Sequence, residues 1–227
     1  MKPNPNVSCI CVTYNRYDRL RTAIDAFLKQ TYEPKQLVIV DDSTDAMPIE
    51  VNQLLAANKR SIKYVRLAKR RTIGYKRNKA ISSSTGDVVS IWDDDDIHFP
   101  SRLDVQVRTL FQQHRPCDIT LVGHRALYHL PSTPSKHLPN VCRRIPKHVH
   151  DAWWYKGYLC PSMTFRKRLW VELGGYRHVN KHEDYHFLRK AEQANAVIHV
   201  STKSNFFAYT VHPGGVSSMH AYLVKTI

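Results

Sequence analysis

Apolar positions along the first half of the chain alternate between two periods. Val7 to Thr13 (VSCICVT) is a continuous run of β-formers and predicts a buried strand. Leu20, Ala23, Ile24, Phe27 and Leu28 then recur at helical spacing, with Asn15 placed to cap that helix and Asp18 three residues on. Gln36 to Val40 predicts a second strand, running into Asp41-Asp42-Ser43, and Pro48 opens a helix carrying Val51, Leu54 and Leu55. Ile62 to Leu67 is a third strand, Gly74 to Ser84 a helix, and Asp87 to Trp92 a fourth strand that ends in Asp93-Asp94-Asp95-Asp96. Pro100 opens a further helix with Leu103, Val107, Leu110 and Phe111 on one face.

Strands alternating with helices imply βαβ units and an α/β fold with a mostly parallel sheet. Such sheets bind ligands at the carboxyl ends of their strands. Asn15, Asp41, Asp42 and Asp93 to Asp96 all fall there. The second half is less regular. Ile119 to Gly123, Ala126 to Leu130, Ser162 to Phe165, Val197 to Val200 and Phe206 to Thr210 read as strands, and Glu183 to Asn195 as a helix. Pro131 to Pro146 holds four prolines and reads as a surface excursion.

Composition adds charge to this picture. The chain has 227 residues, 42% of them hydrophobic, which excludes a wholly disordered protein. It carries 34 Lys and Arg against 19 Asp and Glu, a net +15, with 13 His besides. That balance favours an anionic partner such as nucleic acid, an acidic glycan or lipid surface, or a phosphorylated small molecule. Six of the acids sit at the strand ends named above, leaving 13 against the 34 cations elsewhere. Lys59 to Lys79 alone holds ten Lys and Arg and no acid. No run reaches the ~18 apolar residues of a transmembrane segment. Five scattered Cys, and no apolar leader in MKPNPNVSCICVTYN, lead us to expect reduced thiols and a cytoplasmic location. His148-x-His150 near Cys142 matches no established zinc spacing.

Four consecutive aspartates after a buried strand are the most informative feature. In an extended chain Asp93 and Asp95 would face one side and Asp94 and Asp96 the other. Their mutual repulsion raises pKa values unless a cation intervenes, and carboxylate oxygens suit Mg²⁺ or Mn²⁺. The plainer reading is a solvated acidic loop with Asp96 capping the next helix.

The order of motifs resembles that of the family-2 inverting glycosyltransferases with a GT-A fold. The residues that carry the resemblance are VSCICVTYNR (Val7 to Arg16), LVIVDDSTD (Leu37 to Asp45), IGYKRNKAISSSTGDVVSIWDDDDIHFP (Ile73 to Pro100), LGGY (Leu173 to Tyr176) and HEDYHFLRKA (His182 to Ala191). It spans roughly residues 7 to 215 and implies a Rossmann-like, mixed, mostly parallel sheet. Residues 1–98 would form the nucleotide-sugar half and residues 99–227 the acceptor and catalytic half of one domain.

The resemblance also implies roles. Thr13, Tyr14 and Arg16 would line the pocket for the nucleotide base, and Asp41 or Asp42 would accept a hydrogen bond from that base, usually uracil. Arg77 would lie near the nucleotide, with Asn78 holding its loop. The DxD motif falls on Asp93 and Asp95, or in a second register on Asp94 and Asp95. In both, Asp95 coordinates a Mn²⁺ or Mg²⁺ ion bridging the donor diphosphate, and the remaining carboxylate touches the ribose or a metal-bound water. Asp184 of the Glu183-Asp184 pair would be the general base. A helix N-terminus lowers a carboxylate's pKa, whereas a base works best near the operating pH. His212, in YTVHPGGVSSMH, would reach the metal or diphosphate, although Tyr209 stands where the family often has Arg.

The acceptor is a separate question. The family commonly uses a saccharide or lipid-linked saccharide. The surplus charge points instead to a polyanion such as hydroxymethylated DNA, or to an anionic glycan or lipid; His178, Lys181 and His182 would either meet that acceptor or simply be exposed. Trp153, Trp154 and Tyr155 suit stacking on a sugar or base, or packing between the halves. The alternative from a different class is a non-catalytic nucleic-acid-binding module on a degenerate GT-A fold.

Overall fold

Strand β1 (Val7–Thr13) is buried along its whole length, because it lies between two parallel neighbours and under helices on both faces. The computed structural model describes residues 4–112, 114, 116–123, 125–128, 154–155, 158–201 and 207–211. After β1 come α1 (Tyr17–Leu28), β2 (Lys35–Asp41), α2 (Ile49–Ala57), β3 (Ile62–Arg66), α3 (Ile73–Ser82) and β4 (Val88–Ile91). Next follow β5 (Ile97–His98), α4 (Arg102–Leu110), β6 (Ile119–Val122) and β7 (Arg125–Tyr128). Then come β8 (Trp154–Tyr155), β9 (Tyr158–Leu159), a 3-10 turn at Cys160–Ser162, β10 (Thr164–Arg166) and α5 (Lys167–Glu172). Helix α6 (Glu183–Gln193), β11 (Ile198–Ser201) and β12 (Phe207–Val211) complete the order.

Seven strands make one sheet in the order β11-β6-β10-β4-β1-β2-β3. The pairs of β1 with β2 and β4, of β2 with β3, and of β6 with β11 are parallel, while β10 runs antiparallel to both β4 and β6. A small sheet β5-β12-β7 and the β8-β9 pair stand apart from it. Alternation along the strands divides the core in two. Cys9, Cys11, Leu37 and Ile39 pack with Leu20, Phe27, Trp92 and Leu103 on one face. Ile10, Val38, Val40 and Ile91 pack with Ile81, Phe165, Phe187 and Leu188 on the other. The fold is thus the mixed, mostly parallel α/β architecture expected from the alternating periods.

Several local expectations are corrected. Asn15 does not cap α1. Arg16 occupies the cap position without a side-chain bond, and Asn15, at φ 50°, instead binds across to the loop after β2. Its Oδ1 accepts from the amides of Thr44 (2.8 Å) and Asp45 (3.2 Å), because the chain leaving β1 must be tied to the chain leaving β2. Asp96 does not cap α4, whose cap position is Ser101. Ser162 belongs to the 3-10 turn, so β10 begins only at Thr164. Helix α5 and strand β5 were not foreseen. Residues Pro131 to Pro146, Cys142, His148, His150, Trp153 and His212 lie outside the described residues. Trp154 and Tyr155 form β8. Among the described residues no helix is long and apolar enough to cross a membrane.

Candidate active site

The carboxyl ends of β1, β2 and β4 bring Thr13, Asp41 and the aspartate run to one rim, as parallel neighbours in register must. The aspartates are not extended there. Asp94 to Asp96 form a turn, closed by the Asp96 amide on the Asp93 carbonyl at 3.4 Å, so the expected alternation of faces gives way. One guanidinium spans two of them: Arg16 Nη2 lies 2.6 Å from Asp94 Oδ1, and Nη1 donates to Asp95 Oδ2 at 2.7 Å. Thr13 Oγ1 donates to Asp94 Oδ2 at 2.6 Å. Arg77 Nη2 donates to Asp93 Oδ1 at 3.1 Å.

These contacts do not neutralise the cluster. Burial pushes the Asp94 carboxyl up to about 7 against the pull of Arg16, with Asp95 and Asp93 adding to the rise. Asp93 is raised for the same reasons: burial first, then repulsion from Asp95 and Asp184, opposed by Arg77. Asp184 therefore lies within electrostatic reach of the aspartate turn.

Helix α6 starts beside it, after His182 at φ 61°. Glu183 and Asp184 occupy its first turn and are 4% and 6% exposed. Glu183 Oε1 lies 3.1 Å from Arg77 Nη1, so Arg77, itself 4% exposed, holds Asp93 with one nitrogen and Glu183 with the other. Burial and the neighbouring Asp184 push Glu183 up to about 7, against Arg77. The Tyr185 amide donates to Asp184 Oδ1 at 2.7 Å.

The two acids after β2 are more enclosed than a base-reading role requires. Asp41 Oδ1 accepts from the Ser43 amide (2.7 Å) and hydroxyl, and Oδ2 from Tyr64 (2.6 Å), Arg66 (2.7 Å) and Tyr17 (3.1 Å). Burial alone would raise its pKa, but the bonds from Ser43 and Tyr64 and the Arg66 charge hold it below the ordinary value. Asp42 accepts from Lys76 Nζ and the Arg71 amide, both at 2.7 Å. Lys76 also donates to the Thr13 carbonyl at 3.0 Å. Asp41 thus ties the end of β2 to β3 and α1, and Asp42, through Lys76, ties the β1 and β2 ends to α3. Neither side chain is exposed, so a base reaching one of them must displace an existing donor. Tyr14 lies on the same rim with the Arg70 guanidinium 3.3 Å over its ring.

Asn78 does hold a loop. Its Oδ1 accepts from the Tyr176 amide (2.8 Å) and Trp170 Nε1 (2.9 Å), and its Nδ2 donates to the Tyr176 carbonyl (2.8 Å). A cleft of about 410 Å³ on this outward side of α3, lined by Tyr75, Trp170 and His178 among others, lies away from the aspartates.

Sequence reasoning missed His98 and Arg102. His98 stacks on Trp92 at 3.8 Å, and its Nε2 donates to the Asp93 carbonyl at 3.1 Å. Arg102 Nη1 donates to His98 Nδ1, Nη2 to the Ile91 carbonyl (3.0 Å) and Nε to Gln106 (2.9 Å). A fully buried cation thus braces the aspartate turn from below. The available signal was polar residues at 98, 102 and 106, four apart on the inward face of a helix and its lead-in.

Whether these residues fit a metal can be tested on their chemistry. Among the described residues no group of three or more His, Cys, Asp or Glu is placed to hold an ion alone. Asp93 and Asp95 offer hard oxygens in a buried, over-negative turn. That suits a dication held by one or two carboxylates together with ligand phosphates, the usual arrangement for Mg²⁺. The residues therefore fit an ion shared with a diphosphate.

Comparison with known proteins agrees with this geometry. The family model described as Glycosyl transferase family 2 matches residues 8–127. The glucosyl-dolichyl phosphate glucuronosyltransferase of Haloferax volcanii is 26% identical over 206 residues, covering 82% of this chain and 64% of that protein. EpsE of Bacillus subtilis, which carries a glycosyltransferase name, is 29% identical over 190 residues, covering 80% of this chain and 63% of that protein. The chain thus spans just over three fifths of the length of these relatives.

Two solved structures share the fold. Residues 1–349 of S. aureus TarS in complex with UDP superpose with a TM-score of 0.67 at 20% identity, over 96% of this chain and 63% of that one. The mannosyltransferase PcManGT of Pyrobaculum calidifontis, in complex with GDP-Man and Mn²⁺, gives 0.71 at 19% identity, over 99% and 61%. Matched over more than half its length by the family model, and carrying the GT-A sheet with its carboxylates on the expected rim, the chain belongs to glycosyl transferase family 2.

Proposed function

We propose that the chain is a glycosyltransferase that moves a sugar from a nucleotide-sugar donor, a UDP-sugar, to an acceptor hydroxyl with inversion. One observation carries the reading: Arg77 ties Asp93 of the aspartate turn to Glu183 of α6, so donor-binding carboxylates and a second acid pair meet on one rim. Donor contacts lie in residues 1–98 and the base in residues 99–227. The structures of TarS with UDP and with UDP-GlcNAc, and of PcManGT with GDP-Man and Mn²⁺, support a nucleotide-sugar donor and a dication.

Asp93 and Asp95 would hold Mn²⁺ or Mg²⁺, with Asp94 kept in place by Thr13 and Arg16. The ion supplies neutralisation of the charge that grows on the departing nucleoside diphosphate. Thr13, Tyr14 and Arg16 flank the nucleotide. Asp184 takes the proton of the acceptor hydroxyl as that oxygen bonds to the anomeric carbon and the bond to the diphosphate breaks. The Tyr185 amide occupies Oδ1, which leaves Oδ2 for the proton. His212 stays assigned to the diphosphate on the resemblance alone.

The names of the relatives favour a saccharide acceptor, whereas the net +15 favours a polyanion such as hydroxymethylated DNA or an anionic glycan. A binding module on a degenerate fold is disfavoured, since acids at the rim repel phosphate unless an ion is present. The four described Cys are free and buried, in keeping with a cytoplasmic setting.

Labelled UDP-sugar turnover and UDP binding, each with and without Mn²⁺, test the reading. Asp95→Asn is expected to lose ion-dependent binding. Asp184→Asn should keep binding and lose about 10²–10⁴-fold in transfer, the usual worth of a general base. Near-normal transfer by Asp184→Asn would remove the base assignment.

A further inference from the structure

Six of the ten cations in the run at 59–79 separate into two groups around the site. Arg66, Lys76 and Arg77 turn inward onto Asp41, Asp42 and Asp93. Lys69, Arg70 and Arg71 stay exposed on the loop into α3; the Arg71 amide binds Asp42, but among the described residues none of the three side chains forms an ion pair with a carboxylate. A second exposed cationic segment, Arg177, His178 and Lys181, runs into α6. The two are fixed side by side. The Gly74 amide donates to the Val179 carbonyl (3.1 Å) and the Ile73 amide to Asn180 Oδ1 (3.1 Å). The Tyr75 and His178 rings meet edge to face at 5.3 Å. Neither 67–82 nor 173–182 contains an acid.

The two ends of the ridge so formed reach the rim of the site, while the Tyr75–His178 pair between them lines the outward cleft. Arg70 lies over Tyr14 at one end, and Lys181 stands three residues before Asp184 at the other. We propose that it binds the acceptor as a phosphodiester chain, gripped through its backbone phosphates while a hydroxyl between them reaches Asp184. Arginine forks match phosphate oxygens two at a time, and clustered cations gain affinity by releasing the chain's counterions. Base stacking is not part of the grip. The Tyr14 ring is covered by Arg70, and Tyr75 is flanked by Arg71 at 5.1 Å and by His178. A lipid surface fits less well, since no large apolar side chain is exposed in either segment. The acceptor role rests on the transfer reading above, whereas the affinity for phosphate chains does not.

The test compares a base-free phosphodiester oligomer of abasic units with a base-bearing single strand of equal length, a duplex, and anionic vesicles. Each is titrated across a salt series with the wild-type chain and two triple variants. Lys69→Ser with Arg177→Ser and Lys181→Ser removes the ridge. Arg21→Ser with Lys59→Ser and Arg60→Ser removes equal charge elsewhere, two of the three lying at the opposite end of β3. Melting temperature reports folding, and Mn²⁺-dependent UDP binding reports separately on the donor reading. The abasic chain should bind wild type as tightly as the base-bearing strand. The ridge variant should lose about tenfold or more and flatten the salt slope by about 2, at roughly 0.7 per lost phosphate contact. The remote variant should lose much less. Equal losses for both variants, binding confined to base-bearing strands or the duplex, or a preference for vesicles would each overturn the proposal.

Discussion

Arg16 shows how far single residues can be read. Its place beside a strand end was legible, but its grip on both Asp94 and Asp95 was not, because the aspartates turn instead of running straight. The run itself was visible as four acids after an apolar strand. His98 and Arg102, which brace it, are lone polar residues whose inward direction depends on the packing of α4. The same burial gives a pH prediction. Asp94 and Glu183 hold their protons up to about 7, and Asp93 is raised as well. On the proposed reading a dication would bind the ionised turn, so protons would compete with it as pH falls through about 7. The affinity for Mn²⁺ with UDP should drop by about tenfold per pH unit for each proton displaced, read by calorimetry between pH 8 and 5.5. An affinity flat over that range would contradict the raised carboxyls.

At the scale of elements, α3 is the piece on which both halves of the site depend. It carries Lys76 toward Asp42 and Arg77 toward Asp93 and Glu183, and Asn78 pins the turn at Tyr176. Gly74 lets it approach so closely. A Cβ there would lie 1.8 Å from the Arg177 carbonyl oxygen. Gly74→Ala should therefore cost at least about 2 kcal/mol, as overpacking does. In a chain of this size that lowers the melting temperature by about 4–8 °C. An unchanged melting curve would mean that the backbones part freely. The long strands and helices were legible from their periods. The two-residue strands β5, β8 and β9 and the six-residue α5 were not, since segments so short hold no full period. Asn15 failed as a cap because a partner 29 residues away offered its side chain two amides.

For the molecule as a whole, the sheet separates two packed cores while the rim joins what the chain order keeps apart, with residue 77 bridging positions 93 and 183. That bridge gives turnover a direction. On the proposed reading, a cation brought by the donor to Asp93 would compete for one arm of Arg77, and the other arm would keep its hold on Glu183 of α6 before the second substrate arrives. Binding should then be sequential and donor-first. Uridine diphosphate would inhibit competitively against the sugar nucleotide and in mixed fashion against whichever acceptor supports transfer, while a random-order pattern would mean that the two ends of the bridge are loaded independently.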